Sequence, residues 1–510
     1  MQINQLKVGA ILSYVVIGLS NVVGLLYTPY MLRMMGQSEY GLYSLVASVV
    51  AYLTILDLGF GNTIIRYTAK FRSEGKVEEQ YSMFGMFVVL YSFIGLVVLI
   101  LGMGLYFNID KLYGDTLTPD ELEKVHILVL LMVFNLVFTF PVSIFGSIVT
   151  AYEKFVFQKV VQIARIILNP LIMIILLEMG YRAIGMVVLI TVFNVATQLI
   201  NWWYCRNKIR VKIRFRKFDW SFFKELAGYS FFIFLNAIID RLYWSSGQLV
   251  LGANVGTAAV AMFAVAIQLE QMYMGFSTAI SGVFLPKVTA MVSQSKSNRE
   301  ISDLFIRTGR IQFIVMAFIL AGFILFGRQF IFLWAGADYT DTYVIALLMF
   351  VPLTIPLIQN LGITILQARN RLKFRAVLYL CIAIFSVAMQ LLLVDTYGGI
   401  GCGMAICSGL VLGHIIIMNI YYFKKQDIDI PKFWKEIGKM AFSPALLGLL
   451  TYWAIKQVQL DTPISLAIAI CSFSVVYIPV FWITSMNNYE RDLLYKPVKS
   501  LMERLRSTSR

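Results

Sequence analysis

Residues 88–106 read Val-Val-Leu-Tyr-Ser-Phe-Ile-Gly-Leu-Val-Val-Leu-Ile-Leu-Gly-Met-Gly-Leu-Tyr and contain no charged side chain. A helix of about 20 such residues crosses the roughly 30 Å hydrocarbon core of a bilayer. Similar runs recur along the whole chain of 510 residues, of which 59% are apolar and only 14% are charged. Soluble proteins carry about 25% charged residues. The sequence therefore excludes a soluble multidomain enzyme and predicts an all-α polytopic membrane protein.

The apolar runs predict about fourteen transmembrane helices, at residues 8–32, 42–65, 82–107, 123–150, 156–178, 183–205, 226–252, 257–285, 308–333, 342–367, 374–396, 399–423, 438–456 and 463–484. The five cysteines lie in or beside these runs without CxxC spacing, which excludes a secreted disulfide scaffold. The two histidines do not form a ligand set with the cysteines, so we expect no metal, no cofactor and no catalytic residue.

The net charge is +15, and the positions of the Lys and Arg residues agree with the predicted topology. With the N-terminus inside, 35 of the 43 Lys and Arg fall on inner loops, their flanks and the two tails, and six fall outside. This asymmetry satisfies the positive-inside rule, so the basicity does not indicate nucleic-acid binding. The first span is too long for a cleaved signal sequence, and an even number of spans places both termini in the cytosol.

An internal repeat divides the chain. Ser147-Ile-Val-Thr-Ala-Tyr-Glu-Lys-Phe-Val-Phe157 aligns with Thr364-Ile-Leu-Gln-Ala-Arg-Asn-Arg-Leu-Lys-Phe374, and at a nearby offset Gly185-Met186 aligns with Gly403-Met404. The repeat unit is six spans, and an even unit predicts two parallel lobes related by an axis along the membrane normal. The predicted organisation is an N-terminal lobe, a basic cytosolic linker, a C-terminal lobe, two appended spans and a basic cytosolic tail, at residues 1–205, 206–225, 226–425, 436–485 and 486–510.

The linker and the tail each carry a recognisable pattern of basic and apolar residues. In the linker, cations at positions 208, 210, 212, 214 and 216 alternate with apolar residues. This pattern fits either a segment lying on the anionic inner leaflet or a solvated linker that fixes topology. The tail carries apolar residues at helical spacing, which predicts an interfacial helix built on Leu493, Leu494, Val498, Leu501, Met502 and Leu505.

The opening of the chain resembles that of Wzx-type oligosaccharide flippases. The resemblance is carried by Pro29-Tyr-Met-Leu-Arg-Met-Met-Gly36, Glu39-Tyr-Gly-Leu-Tyr43 and Asp57-Leu-Gly-Phe-Gly-Asn-Thr-Ile-Ile-Arg66. Asp240-Arg241 and Leu251-Gly-Ala-Asn-Val-Gly256 resemble the same family at the start of the second lobe. The superfamily includes the lipid II flippases and the MATE multidrug exporters. The resemblance covers spans 1 to 12 and implies fold and substrate class, but it carries no map of site residues.

The resemblance implies a flippase that moves a polyprenyl-pyrophosphate-linked oligosaccharide across the bacterial cytoplasmic membrane by alternating access. Such a protein serves the synthesis of O-antigen, capsule or exopolysaccharide, and its partners would be membrane lipids and the glycosyltransferases or polymerase of that synthesis. Two alternatives stay open: a Na⁺- or H⁺-coupled MATE-like exporter, and a membrane glycosyltransferase or polysaccharide polymerase. The extra pair of spans argues against the exporter, and the short outer loops argue against the enzyme.

Charged residues inside the spans are the strongest functional markers, because each costs several kcal/mol unless it faces a cavity or a partner. They are Asp57, Arg165, Asp240, Arg241 and Glu270. Each lobe has one acid and one arginine at matching depth, which fits either two structural ion pairs or a wet cavity between the lobes. A cavity arginine suits a pyrophosphate, since a guanidinium group binds its oxygens bidentately.

Other residues complete the predicted site. Polar side chains that could contact sugars include Asn62, Asn135, Asn236, Gln248 and Gln359. We expect prolines to break helices and permit gating at Pro141, Pro352 and Pro356. The driving force is open: the membrane potential favours outward movement of an anion, and Asp57 or Glu270 could instead couple transport to a proton or Na⁺ gradient.

Overall fold

The computed structural model describes residues 5–215, 220–281, 284–294, 296–458, 460–493 and 495. All the regular secondary structure in these ranges is helical, which confirms the predicted all-α membrane fold. Nine described segments are long and apolar enough to cross a membrane, or ten if one bent pair of helices counts as a span. Two of the nine segments contain two helices that meet at a kink. The kinks lie at Gly36 and Gly398, which have non-helical dihedral angles. The number fourteen stays a prediction.

By internal packing the chain divides into two compact units. The first contains Met1–Val265 and Val387–Cys402, and the second contains Ala266–Ser386 and Gly403–Arg510. The predicted six-span lobes are a different division of the sequence, and they stay a prediction. Most of the predicted tail helix, including Leu494 and Val498, lies outside the described residues.

The first unit is built on long helices with short connections: α1 Gln5–Leu53, α2 Phe60–Ser73, α3 Val77–Tyr106, α4 Ile109–Tyr113, α5 Pro119–Ala151, α6 Phe155–Glu178, α7 Ala183–Tyr204, α8 Trp220–Trp244 and α9 Ser246–Asn254. Helix α5 packs between α3 and α7, α1 packs against α6, and α2 packs against α3, α5 and α8. Phe60, Phe84, Phe87 and Ile144 lie in the buried cluster that joins α2, α3 and α5.

Polar contacts connect one end of several helices of the first unit. Glu39 on α1 pairs with Lys124 on α5 and accepts a hydrogen bond from the backbone N–H of Ala183, at 3.2 Å. Glu121 on α5 accepts hydrogen bonds from Ser38 and Thr257. Partial burial raises the pKa of Glu121, but the hydrogen bonds from Ser38, Thr118 and Thr257 outweigh it and hold the pKa below its ordinary value. The Glu121 carboxylate is thus stabilised in its charged form.

Helix α10, Thr257–Ser281, contributes to both units. So does α15, Leu372–Gly409, because its residues Val387–Cys402 belong to the first unit. The second unit continues with α11 Leu285–Ser293, α12 Asn298–Trp334, α13 Thr342–Ile358, α14 Leu361–Ala368, α16 Met418–Gln426, α17 Ile430–Ile455 and α18 Pro463–Thr484. Helix α12 is its centre and packs against α13, α14, α17 and α18.

The three prolines predicted to break helices behave differently from one another. Pro141 lies inside α5, which continues without interruption, so the predicted break there is wrong. The carbonyl oxygen of Val137, which proline leaves without its helical donor, lies close to Gly95 of α3. Pro352 and Pro356 lie inside α13, and the chain bends by 45° just after them, between Ile358 and Leu361. A gating role for any of the three stays a prediction.

A buried ion cluster fixes the segment that follows α18. The Arg310 guanidinium donates to both carboxylate oxygens of Glu490, at 2.6 and 3.1 Å, and to Glu436 at 3.0 Å. It also donates to the backbone carbonyl of Ser485, at 3.2 Å. Arg310 is 7% exposed and Glu490 is 1% exposed. Arginine satisfies all these acceptors at once because its donors form a planar fork. The cluster therefore joins α12, α17 and the chain beyond α18.

We expect Arg310→Ala to lower the free energy of unfolding by about 3–5 kcal/mol, because it leaves a buried carboxylate without its partner. The exposed ion pair Lys432–Asp303 is the matched control, and Lys432→Ala should cost about 1 kcal/mol or less. Thermal unfolding in detergent measures both. The double variant Arg310→Ala/Glu490→Ala should recover part of the loss, and equal costs for Arg310→Ala and Lys432→Ala would contradict this assignment.

Candidate functional site

The second predicted span is broken near its middle. The chain leaves α1, forms a 3-10 turn over Thr54–Asp57, and passes through two left-handed residues, Leu58 (φ 52°) and Gly59 (φ 72°), before α2 begins. A Cβ at Gly59 would lie 2.7 Å from the Cβ of Ile233 on α8. Glycine is required here both for its positive φ and for the close approach of α8. Irregular backbone at membrane depth occurs where it is buried in protein or lines water.

Asp57 ends this 3-10 turn and is half-buried. Its Oδ1 accepts a hydrogen bond from the Tyr91 hydroxyl of α3, at 2.8 Å. Tyr91 is 1% exposed and packs against Phe60 and Phe140. The partner of Asp57 is therefore a phenol fixed in the core of the first unit.

The break brings together several of the predicted site residues. Thr63 of α2 and Ser230 of α8 share a hydrogen bond of 2.9 Å, which joins the two helices. Exposed polar side chains lie on both helices, Asn62 on α2 and Asn236 and Asp240 on α8. The predicted residues Asp57, Asn62, Asn236, Asp240 and Arg241 are thus carried by adjoining elements of one unit.

Arg241 follows Asp240 on α8 and is half-buried. Its backbone carbonyl accepts a hydrogen bond from Tyr52, at 3.1 Å, which connects α8 to the end of α1. Gln248 is half-buried on α9. Arg165 lies on α6, which packs against α1, α5 and α7, so the structure does not place it on the elements around the break.

The arginines do not form the structural ion pairs that the sequence left open. Within the described residues, neither the Arg165 nor the Arg241 guanidinium has a carboxylate within ion-pair distance. Both side chains are half-buried. A cation inside a span is stable only if it faces water or an anion.

Glu270 is a buried carboxyl group on α10 in the second unit. It is 1% exposed, and neither of its oxygens has a hydrogen-bond partner among the residues that the structure describes. One turn further along α10, Tyr273 stacks on Phe350 with ring centroids 4.6 Å apart and shares a hydrogen bond of 2.8 Å with Thr354. The carboxyl group is therefore buried between helices without a polar contact among the described residues.

A second broken span lies beside this carboxyl-bearing helix. Between α13 and α14 the chain turns at Gln359 and Asn360. Gln359 donates to Asn419 at 2.8 Å, and Asn360 donates to Ser281 of α10 at 3.0 Å. Ser277 of α10 donates to the carbonyl of Leu357, at 2.7 Å. The backbone break is thus stabilised by side chains of its neighbours.

Two residues predicted to contact sugars are buried and hydrogen-bonded between helices in this structure, and their contact with sugars stays a prediction. Gln359 is 3% exposed and is engaged by Asn419, as described above. Asn135 is 9% exposed and accepts a hydrogen bond from Asn194, at 3.3 Å. Their amides satisfy polar groups between helices. Over the described ranges, no group of three or more His, Cys, Asp and Glu side chains is placed to hold a metal ion.

Sequence reasoning missed Arg310 and Glu490, which have the most extensive ionic contacts among the residues that the structure describes. Arg310 lies inside the predicted span 308–333, so its position alone could have marked it as an intramembrane charge. Its partner is 180 residues away in the sequence. No local pattern indicates such a pairing.

Comparisons with known proteins agree with this architecture. The chain is 20% identical over 410 residues to the uncharacterized membrane protein EpsK of Bacillus subtilis (strain 168). This alignment covers 77% of this chain and 78% of EpsK. The fold is similar to that of the lipid II flippase MurJ in an inward closed conformation, with a TM-score of 0.69, 17% identity, and coverage of 96% of this chain and 99% of MurJ.

A multidrug resistance MATE family transporter of the MOP superfamily, in an inward-facing conformation, has a similar fold at a TM-score of 0.62. It is 14% identical and the match covers 82% of this chain and 96% of the transporter. At these identities the structures show a shared fold. The family model described as polysaccharide biosynthesis protein matches residues 6–292. Because this match spans more than half of the sequence, the chain belongs to the family of polysaccharide biosynthesis proteins.

Proposed function

We propose that this protein moves a polyprenyl-pyrophosphate-linked oligosaccharide from the inner to the outer leaflet of the bacterial cytoplasmic membrane. Support comes from the family of polysaccharide biosynthesis proteins and from the fold shared with a lipid II flippase. The transported glycan would serve O-antigen, capsule or exopolysaccharide synthesis. Glycosyltransferases would supply it at the inner face and a polymerase would use it at the outer face.

One observation carries the choice of substrate: two arginines inside predicted spans have no carboxylate partner among the described side chains. Leaving a guanidinium group without an anion in a membrane span is costly. A pyrophosphate supplies that anion, and its oxygens match the arginine fork. Arg241 is the stronger candidate of the two, because α8 adjoins the broken span that carries Asp57.

The lipid tail has a candidate place in the second unit. An apolar groove of about 470 Å³ lies between α12 and α17, lined mainly by apolar side chains such as Phe313, Ala317, Ile324 and Leu449. An isoprenoid chain could lie along it while the headgroup crosses, so that the tail stays in an apolar environment. In this mechanism the protein alternates between inward-open and outward-open states, and the membrane potential favours outward movement of the anionic headgroup.

We expect Arg241→Lys to reduce glycan export although it keeps the charge, because an ammonium group loses the bidentate contact. Arg241→Gln should abolish export, and lipid-linked precursor should accumulate in the inner leaflet. Both are measured in cells as surface polysaccharide and precursor per molecule of folded protein. Arg182→Lys, at an exposed position outside the spans, is the matched control. Near-normal export by Arg241→Gln would refute headgroup binding by Arg241.

Glu270 provides a candidate for coupling transport to a proton gradient. A buried carboxyl group without a partner is far more stable neutral than ionised, so in this conformation it would hold a proton. Helix α12 has no ionisable side chain between Arg310 and Arg328, and the only one in α13 is Tyr343. On α10 the nearest titratable group is Tyr273, which is engaged by Thr354. A change of conformation that admits water to Glu270 would release the proton.

We expect Glu270→Gln to fold normally, because the amide resembles the protonated acid, and to lose the dependence of transport on a pH gradient. Transport by purified protein in vesicles, with and without an imposed gradient, measures this. Glu153→Gln, at an exposed loop position, should respond to the gradient as the wild type does. A Glu270→Gln variant that still responds fully would exclude Glu270 as the proton carrier.

A further inference from the structure

Residues 205–215 follow α7 and form a defined segment that we name the basic strap. A π-helical turn over Cys205–Ile209 ends at Arg210, which is left-handed with φ 60°. The backbone N–H of Val211 donates to the carbonyl of Cys205, and that of Arg214 donates to the carbonyl of Tyr81 on α3, both at 3.1 Å. The strap therefore lies along the end of α3.

One side of the basic strap is packed into the first unit. Ile209, Val211 and Ile213 contact the buried cluster that joins α2, α3 and α5. A Cβ at Gly85 of α3 would lie 2.1 Å from the carbonyl oxygen of Arg214, so the strap approaches α3 closely where α3 has no side chain. These residues do not form the solvated linker that the sequence left as an alternative.

The other side of the basic strap presents a row of cations. Arg206, Lys208, Arg210 and Lys212 are exposed. Arg214 pairs with Glu78, but Lys208, Arg210 and Lys212 have no carboxylate partner within the described ranges. Because Ile209, Val211 and Ile213 pack against the buried cluster while the cations between them are exposed, the packed apolar residues hold the cations outward.

Exposed aromatic side chains flank these cations. Trp202 and Trp203, in the last turn of α7, are 40% and 49% exposed, and Phe215 at the end of the strap is 69% exposed. Tryptophan at such a position is typical of the boundary between hydrocarbon and headgroups. The positive-inside rule assigns this end of α7 to the inner leaflet, whose headgroups are anionic.

We propose that the basic strap is a binding surface for the phosphate groups of anionic phospholipids in the inner leaflet. The positive-inside rule requires only that Lys and Arg be present in a cytoplasmic loop. It does not require that they be held in a packed row beside exposed tryptophans. The apolar face and the two backbone hydrogen bonds keep the row in place, so that several headgroups can be contacted at once. The binding stabilises the strap against the end of α3.

The test compares thermal unfolding of the full-length protein in detergent with dioleoyl-phosphatidylglycerol or with dioleoyl-phosphatidylcholine. A ligand that binds only the folded state raises the unfolding temperature. We expect phosphatidylglycerol to raise it for the wild type, and Lys208→Gln/Arg210→Gln/Lys212→Gln to remove most of that shift. High salt should also reduce the shift, because it screens exposed charges. Comparing each variant with itself in the two lipids removes any change in its basal stability.

The matched control removes the same charge elsewhere. Lys424→Gln/Lys425→Gln/Lys435→Gln changes three exposed lysines of the second unit and should keep the wild-type shift. Equal shifts for the wild type and the strap variant would overturn the proposal. The proposal would also be overturned if the control variant lost as much of the phosphatidylglycerol shift as the strap variant, since net charge alone would then explain the shift.

A second variant keeps every charge. Gly85→Ala should displace the strap from α3 and reduce the phosphatidylglycerol shift, whereas Gly104→Ala, which has open space around it, should not. The same phosphate chemistry occurs in the transported lipid. Stabilisation of the wild type by undecaprenyl pyrophosphate but not by phosphatidylglycerol, lost in the strap variant, would assign the surface to the substrate and overturn the phospholipid proposal.

Discussion

Every backbone N–H and C=O group inside hydrocarbon must be bonded within the protein, because no water is there to replace a missing partner. This constraint explains why the described chain is helical through its apolar runs. It also explains where the helices are allowed to break. The interruption at Asp57–Gly59 is covered by α3 and α8, and the one at Gln359–Asn360 is bonded to Asn419 and Ser281. Both breaks place irregular backbone beside polar or ionisable side chains.

The intramembrane charges follow from the same constraint, but each is accommodated differently. Asp57 accepts a hydrogen bond from a buried phenol, and Arg310 is fully engaged by carboxylates and a carbonyl oxygen. Glu270 is buried without a partner among the described residues, a position that suits its neutral form. Arg165 and Arg241 have no acid within reach in the described structure, and a neutral form is not accessible to arginine. This difference is why we assign the ligand to the arginines and the proton to the glutamate.

Much of the fold could be predicted from the sequence, because apolar length and the distribution of Lys and Arg depend only on the bilayer. The bend near Pro356 was predictable from the proline, whereas α5 continues through Pro141, so the presence of a proline does not by itself predict a break. The pairing of Arg310 with Glu490 was not predictable, since it joins residues far apart in sequence. The sequence also could not distinguish exposed intramembrane amides from buried ones: Asn62 is exposed, whereas Asn135 and Gln359 are buried and hydrogen-bonded to side chains of other helices.

The central proposal is that this protein carries a pyrophosphate-linked glycan lipid across a bilayer. The direct measurement uses the purified protein in vesicles that contain a fluorescent polyprenyl-pyrophosphate oligosaccharide and exposes them to an impermeant reagent that destroys the fluorophore in the outer leaflet. The account predicts that fluorescence from both leaflets is lost when the protein is present and only that from the outer leaflet when it is absent. If the inner-leaflet fluorescence survives the reagent in vesicles that contain folded wild-type protein, the account is contradicted. This result would have to hold under a membrane potential and under a pH gradient of either direction.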